Sequence, residues 1–135
     1  PTSPDLDGTI ITAQDLPTIG VWIMPDNQLN GMLEDFVIKL IPNTDELRSQ
    51  IEVHLNNIEA QGLNKYNSSL HRSKAFIHSW LACQENPGRP MGLSLTCRYL
   101  SSSEPIALKF TVWLKRLFNI LDPSCVLDPS EYHIQ

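Results

Sequence analysis

At 135 residues, 41% of them hydrophobic and 19% charged, the chain has the size and composition of one soluble domain with a core of its own. A formal net charge of −5 argues against a nucleic-acid surface held by charge alone, since phosphate neutralisation dominates such affinity. An enzyme that meets phosphates through a metal ion stays open. No apolar run approaches the roughly 18–20 residues of a membrane span, and no basic segment followed by an apolar stretch marks a signal peptide.

In chain order, PTSPDLDG is an irregular lead-in, and residues 9–12 form a short β-branched run, a candidate strand. Residues 19–24 are continuously apolar and bounded by Pro17 and Pro25, which predicts a strand buried on both faces. A helix is predicted over about 29–40, with Leu33, Phe36, Val37 and Leu40 at helical spacing and Pro42 ending it. Asn43-Thr44-Asp45-Glu46 then supplies a cap and first-turn acids for a second helix. Its apolar face is Leu47, Ile51, Leu55 and Ile58, and Gly62 is its stop. Residues 64–69 read as a surface loop. A third helix over about 72–84 buries Phe76, Trp80 and Cys83.

NPGRPMG, residues 86–92, is a turn-rich loop, and the ambiguous 93–100 is assigned to a short helix. The last helix starts at Ser103-Glu104-Pro105 and carries a broad apolar stripe from Ile106 through Phe110, Trp113 and Leu117 to Leu121. All three tryptophans fall on apolar faces, with Trp80 and Trp113 expected near each other's helices. Residues 123–135 read as an extended tail after a single domain over 1–122. Cys83, Cys97 and Cys125 are odd in number and lack CxxC spacing, so reduced thiols in a cytoplasmic protein are expected and a zinc site is not.

The balance of elements is uneven. Four or five helices accompany one or two strands, and a strand buried like 19–24 needs neighbours that this chain barely supplies. The fold class is therefore α/β, a small sheet with helices packed around it and a helix-rich carboxyl half. An exposed apolar sheet surface and self-association, an edge pairing or isologous homodimer, follow from the same shortage.

GVWIMPDNQLNGMLEDF (20–36), KAFIHSWLACQENPGRPMG (74–92), and RYL followed by WLKRLF resemble a family of uncharacterised bacterial proteins, a domain of unknown function related to the Toprim fold. The resemblance covers about 7–118. It implies a doubly wound sheet, a glutamate after the first strand and a later Asp-x-Asp pair, binding magnesium for hydrolysis of phosphodiesters such as nucleic acid. This chain departs from that pattern. No strand is followed by Gly-x-Glu, and its only Asp-x-Asp, Asp5-Leu6-Asp7, follows PTSP. Pro1 stands first, and the expectation is a carboxyl-terminal part without the primary metal ligands, incapable of catalysis alone.

The acids that remain are Asp26, just after the apolar run, and the pair Glu34-Asp35 opening the next helix. Magnesium takes oxygen ligands, usually one or two protein carboxylates besides waters and phosphate, so Asp26, Glu34 and Asp35 are the candidate metal ligands. The plainer account is that Asp26-Asn27 makes a turn, that acids early in a helix suit its dipole, and that Asp35 pairs with Lys39 four residues on. Of Glu34 and Asp35, Glu34 is expected to face the loop. Lys74 is the candidate electrostatic stabiliser, on a stripe with His71, His78 and Glu85 that otherwise reads as a solvated face. His71 and His78 lie about 10 Å apart along a helix axis, too far to share an ion. Gly88–Gly92 lacks the lysine and hydroxyl of a P-loop. From a different class, a non-catalytic protein-interaction module fits the same composition.

Overall fold

A computed structural model describes residues 5–120. Two short strands, β1 (Thr9–Ile11) and β2 (Ile19–Val21), precede four helices: α1 (Leu33–Ile38), α2 (Glu46–Ala60), α3 (Ser68–Ala82) and α4 (Pro105–Leu117). A 3-10 turn, Met91–Leu93, lies between α3 and α4. The described residues are thus mixed α/β with a small sheet and a helix-rich carboxyl half; they form a two-stranded antiparallel sheet and no doubly wound one. No helix among them is long and apolar enough to cross a membrane. The expected tail, 123–135, lies outside the described residues.

α2 forms where its sequence says it should. The Asp45 carboxylate accepts from the amide of Arg48 and caps the helix. At the other end Gly62, at a φ of 64°, donates to Glu59 while Leu63 donates to Ile58, the paired bonds that let a left-handed residue close a helix. Between these stops Ile51 and Leu55 are buried, each full burial contributing about 1.5–3 kcal/mol. α3 packs on both α1 and α2, and its Phe76, Ile77, Trp80 and Leu81 fill the centre of the core. Trp80 is completely buried, and its indole N–H donates to Asp45 at 3.1 Å. One carboxylate therefore caps α2 and satisfies the largest core residue of α3.

Several boundaries differ from the sequence reading. α1 is six residues, not the dozen expected over 29–40, because its entry is fixed at Met32, and Leu40 and Ile41 reach the core from a turn beyond its end. Leu33, expected inside, is exposed. α3 starts at Ser68, inside the expected loop, since Asn67 caps it by accepting from the Ser69 amide. Cys83, expected in the core, is exposed just past the helix end. Of the expected short helix over 93–100, only Leu93 is helical, as the end of the 3-10 segment, and 94–100 are turns and bends. α4 stops at Leu117, short of 121, because Asn119 takes a φ of 52° and Ile120 donates back to Lys115.

The largest correction concerns 19–24. Only Ile19–Val21 is strand, paired with β1 in the register Thr9↔Val21, Ile10↔Gly20, Ile11↔Ile19. Its inner face sits on α4: a Cβ at Gly20 would come within 2.8 Å of the Trp113 ring, so only glycine allows that approach. Gly8, at a φ of 80°, lies over the same indole, which donates to the carbonyl of Thr9. Trp113 packs with Trp22 and Phe110, and Phe110 meets Phe36 of the main core. It belongs to the hairpin's cluster, not to Trp80's as expected.

Candidate functional site

The loop between β2 and α1 is built around Asn27. This buried residue, at a φ of 63°, accepts from the Ile23 amide through its side chain at 2.7 Å and donates its own amide to the Ile23 carbonyl. Asparagine tolerates the left-handed conformation because its short polar side chain bonds locally. The side-chain amide also reaches Leu6, tying the loop to the segment before β1. The Pro-Asp-Asn sequence signalled a turn. Nothing in it signalled that Asn27, rather than Asp26, would be the residue turned inward.

Asp26 occupies the outer side of this loop. One carboxylate oxygen accepts from the amides of Gln28 and Leu29, and the other takes the Lys39 ammonium at 2.5 Å. The Lys39 hydrogen bond, followed by the Leu29 amide, holds the Asp26 carboxyl below its usual value. Lys39 was expected to pair with Asp35; it reaches across to Asp26 instead. Asp35 turns back to accept from the Met32 amide at 2.7 Å, fixing the first turn of α1, and accepts on its other oxygen from the Ser73 hydroxyl of α3. Gly31 leaves room for this, since a Cβ there would lie 2.8 Å from the Asp35 carboxylate and 2.9 Å from the Pro25 ring. Glu34 faces Lys74 of α3 at 3.4 Å, with its carboxylate side chain largely covered and the lysine half exposed.

Asp26 therefore lies in the β2–α1 loop, Glu34 and Asp35 in the first turn of α1, and Lys74 on α3 opposite Glu34. Each has a resident partner: Asp26 has Lys39, Glu34 has Lys74, and Asp35 has Ser73 with a backbone amide. Oxygen donors of this kind are what magnesium takes. Two ammonium groups already sit on two of the three carboxylates, however, and a dication would have to displace them. Among the described residues no group of three or more metal-ligating side chains is close enough to hold an ion. As paired, the acids join α1 to the loop and to α3.

Beside Asp35 and Ser73 lies a polar cleft of about 390 Å³, lined by Asn30, Gly31, Ser68, Ser69 and Arg72. Arg72 is committed there, bonded to Glu52, Asn56 and Glu59 of α2. Tyr66 donates to Glu59 at 2.8 Å, which is the main cause lowering the Glu59 pKa, while burial first and Glu59 second raise that of Tyr66. His71, Lys74 and His78 do share one shallow depression with Tyr66 and Ala75, as their spacing predicted. Arg89 donates to the Cys97 sulfur at 2.8 Å within its own loop.

Two signals were missed by sequence reasoning. Ser73 has no local pattern to mark it, because its partner is 38 residues away. The second is which residues make the exposed apolar sheet surface that the shortage of strands predicted: Ile19, Val21 and Ile23 of the run expected to be buried, with Ile11 of β1, are 54%, 40%, 45% and 50% exposed. No curated protein and no solved structure matches the chain. A family match runs over residues 1–119, nearly the whole chain, and by it this chain belongs to the family described as "Protein of unknown function (DUF3226)".

Proposed function

We propose that this domain is a non-catalytic interaction module that buries the outer face of its hairpin against a protein partner, in the first instance a second copy of itself. One observation carries the reading. The β1–β2 register puts Ile11, Ile19 and Val21 on the face turned away from Trp113, and alternation adds Ile23. Four β-branched apolar side chains stand there, all exposed. Contiguous apolar patches of this kind are uncommon on proteins that work alone, and a two-stranded hairpin is marginal without cover. Stacking two such faces about a two-fold axis gives a small sandwich with sheets about 10 Å apart.

Sedimentation across a concentration series tests this. Self-association is expected, and Val21→Lys should abolish it without changing the helical circular dichroism. A wild-type monomer at high concentration would overturn the dimer.

A second reading rests on the order of Asp26, Glu34 and Asp35 along the chain just beyond β2, with Lys74 paired to Glu34. In it the chain is part of a Toprim-like domain, and metal-dependent phosphodiester hydrolysis, with nucleic acid as the substrate class, needs further acidic ligands from outside residues 5–120. Asp26 and Glu34 would hold magnesium, which supplies Lewis-acid chemistry when bound, and Lys74 would stabilise charge on a phosphoryl group. Titrating the labelled chain with magnesium chloride tests it through the amide resonances of 26–35. No saturable shift at millimolar magnesium would remove these residues from the metal site.

A further inference from the structure

Glycine follows an asparagine or aspartate at two places in the chain, Asp7-Gly8 and Asn30-Gly31. With no Cβ, glycine leaves its own nitrogen least shielded, so the preceding side-chain carbonyl carbon is open to attack by it. The fold treats the two places differently. Gly8 is buried against the Trp113 ring at a φ of 80°, and its amide donates to the Asp5 carbonyl at 3.0 Å. Asn30 and Gly31 are both exposed, in irregular chain between the Asn27 turn and Met32. Among the described residues the Gly31 amide donates no hydrogen bond, and the Asn30 side chain makes none. Close packing keeps a shielding residue out of position 31, because a Cβ there would meet the Asp35 carboxylate at 2.8 Å and the Pro25 ring at 2.9 Å. The contact that requires glycine thus gives Asn30 its most reactive possible neighbour.

We propose that Asn30 is a site of spontaneous modification, converted to isoaspartate and aspartate through a succinimide. The Gly31 nitrogen gives its proton to solvent base and attacks Cγ of Asn30. A new C–N bond forms, the bond to the side-chain nitrogen breaks, and that nitrogen leaves as ammonia. Water then opens the ring. Addition at the side-chain carbonyl gives aspartate, and addition at the main-chain carbonyl gives isoaspartate, whose backbone runs through Cβ. Water is consumed, ammonia is released, and nothing is oxidised or reduced.

Either product sets a carboxylate in the cleft that Asn30 shares with Asp35 and Arg72. Isoaspartate also adds a methylene to the main chain just before Gly31, where Asp35 and Pro25 leave no slack. The bond from the Met32 amide to Asp35, which fixes the first turn of α1, stands one residue further on and loosens with it. This inference is independent of the hairpin pairing and of the magnesium reading.

The test ages the full folded chain in mildly alkaline buffer below its melting temperature. Peptide mapping by mass spectrometry, with fragmentation that separates isoaspartate from aspartate, follows each site. Asn30 should convert ahead of every other asparagine, with isoaspartate the major product. Its folded rate should lie within about ten-fold of that in the guanidinium-unfolded chain, a margin of about 1.4 kcal/mol in the barrier. Asp7, followed by the bonded Gly8, should be slowed by more than this margin on folding. Aged wild type should melt below an equally aged Asn30→Gln variant, whose longer side chain closes a ring far more slowly, while the two fresh proteins melt alike. An Asn30 slowed on folding beyond the margin, or as much as Asp7, would overturn the proposal. So would conversion of Asn27 or Asn67 before it. Equal melting of the two aged proteins after Asn30 has converted would overturn its effect on α1.

Discussion

The two buried tryptophans sit in regions built on opposite terms. Trp80 is enclosed by helices that all belong to the described chain, and its N–H is answered by an aspartate that already has a capping role. Trp113 is also buried, at 6% exposure, yet what covers it is a hairpin of three-residue strands held close by Gly8 and Gly20. The first region closes on itself. The second closes only on its inner side, because the hairpin that roofs Trp113 exposes isoleucine and valine on its other face. Burial of a large side chain therefore does not by itself mark the interior of a finished core; what lies one layer further out decides that.

Truncation should separate the two regions most sharply. Trp80→Ala is expected to cost about 4 kcal/mol and to destabilise the whole chain in urea unfolding, since it empties the centre of the helical core and strips Asp45 of a donor. Trp113→Ala should cost about 3 kcal/mol, and its signature should be local. Amide exchange in β1 and β2 should accelerate while α2 and α3 stay protected. Equal acceleration everywhere would show one cooperative core and break the distinction. A loss below about 1 kcal/mol would show that α4 does not support the hairpin as described.

Gly8→Ala sharpens the same contrast at a smaller scale. The new Cβ enters the Trp113 ring at a backbone φ of 80°, so a loss of about 2 kcal/mol confined to the hairpin is expected. Ser73→Ala probes the join between loop and core, because it removes the donor that Asp35 takes from α3. About 1 kcal/mol is expected, read by chemical denaturation.

The smallest effect is the pH dependence of Asp26. Its folded pKa lies below the ordinary value of 3.8, so its pairing stabilises the fold fully above that value. The contribution fades as pH falls through the lower folded value. The melting-temperature gap between wild type and Asp26→Asn should therefore be widest near neutral pH and narrow in acid below about pH 4. A gap that is constant with pH would mean the Lys39 pair is screened to insignificance.

The sequence by itself determined what local chemistry determines. Asp45 and Gly62 bound α2 because a capping carboxylate and a left-handed glycine act within one turn of where they stand. The face of α3 bearing Trp80 followed from helical spacing, and the mixed α/β class with its shortage of strands followed from counting elements. That the candidate acids stand in the loop after β2 and in the first turn of α1 was legible too, because loop and helix signals are adjacent in the chain. Their partners were not. Asp26 with Lys39, Glu34 with Lys74 and Asp35 with Ser73 were decided by how α1 lies against the loop and α3. Cys83 left the core because α3 ends at Ala82, one residue before it, which no apolar spacing encodes. The exposure of Ile19 and Val21 is the clearest case. A β-branched run records that a strand is favoured, while burial requires a second layer on each face, and in the described chain α4 supplies only one.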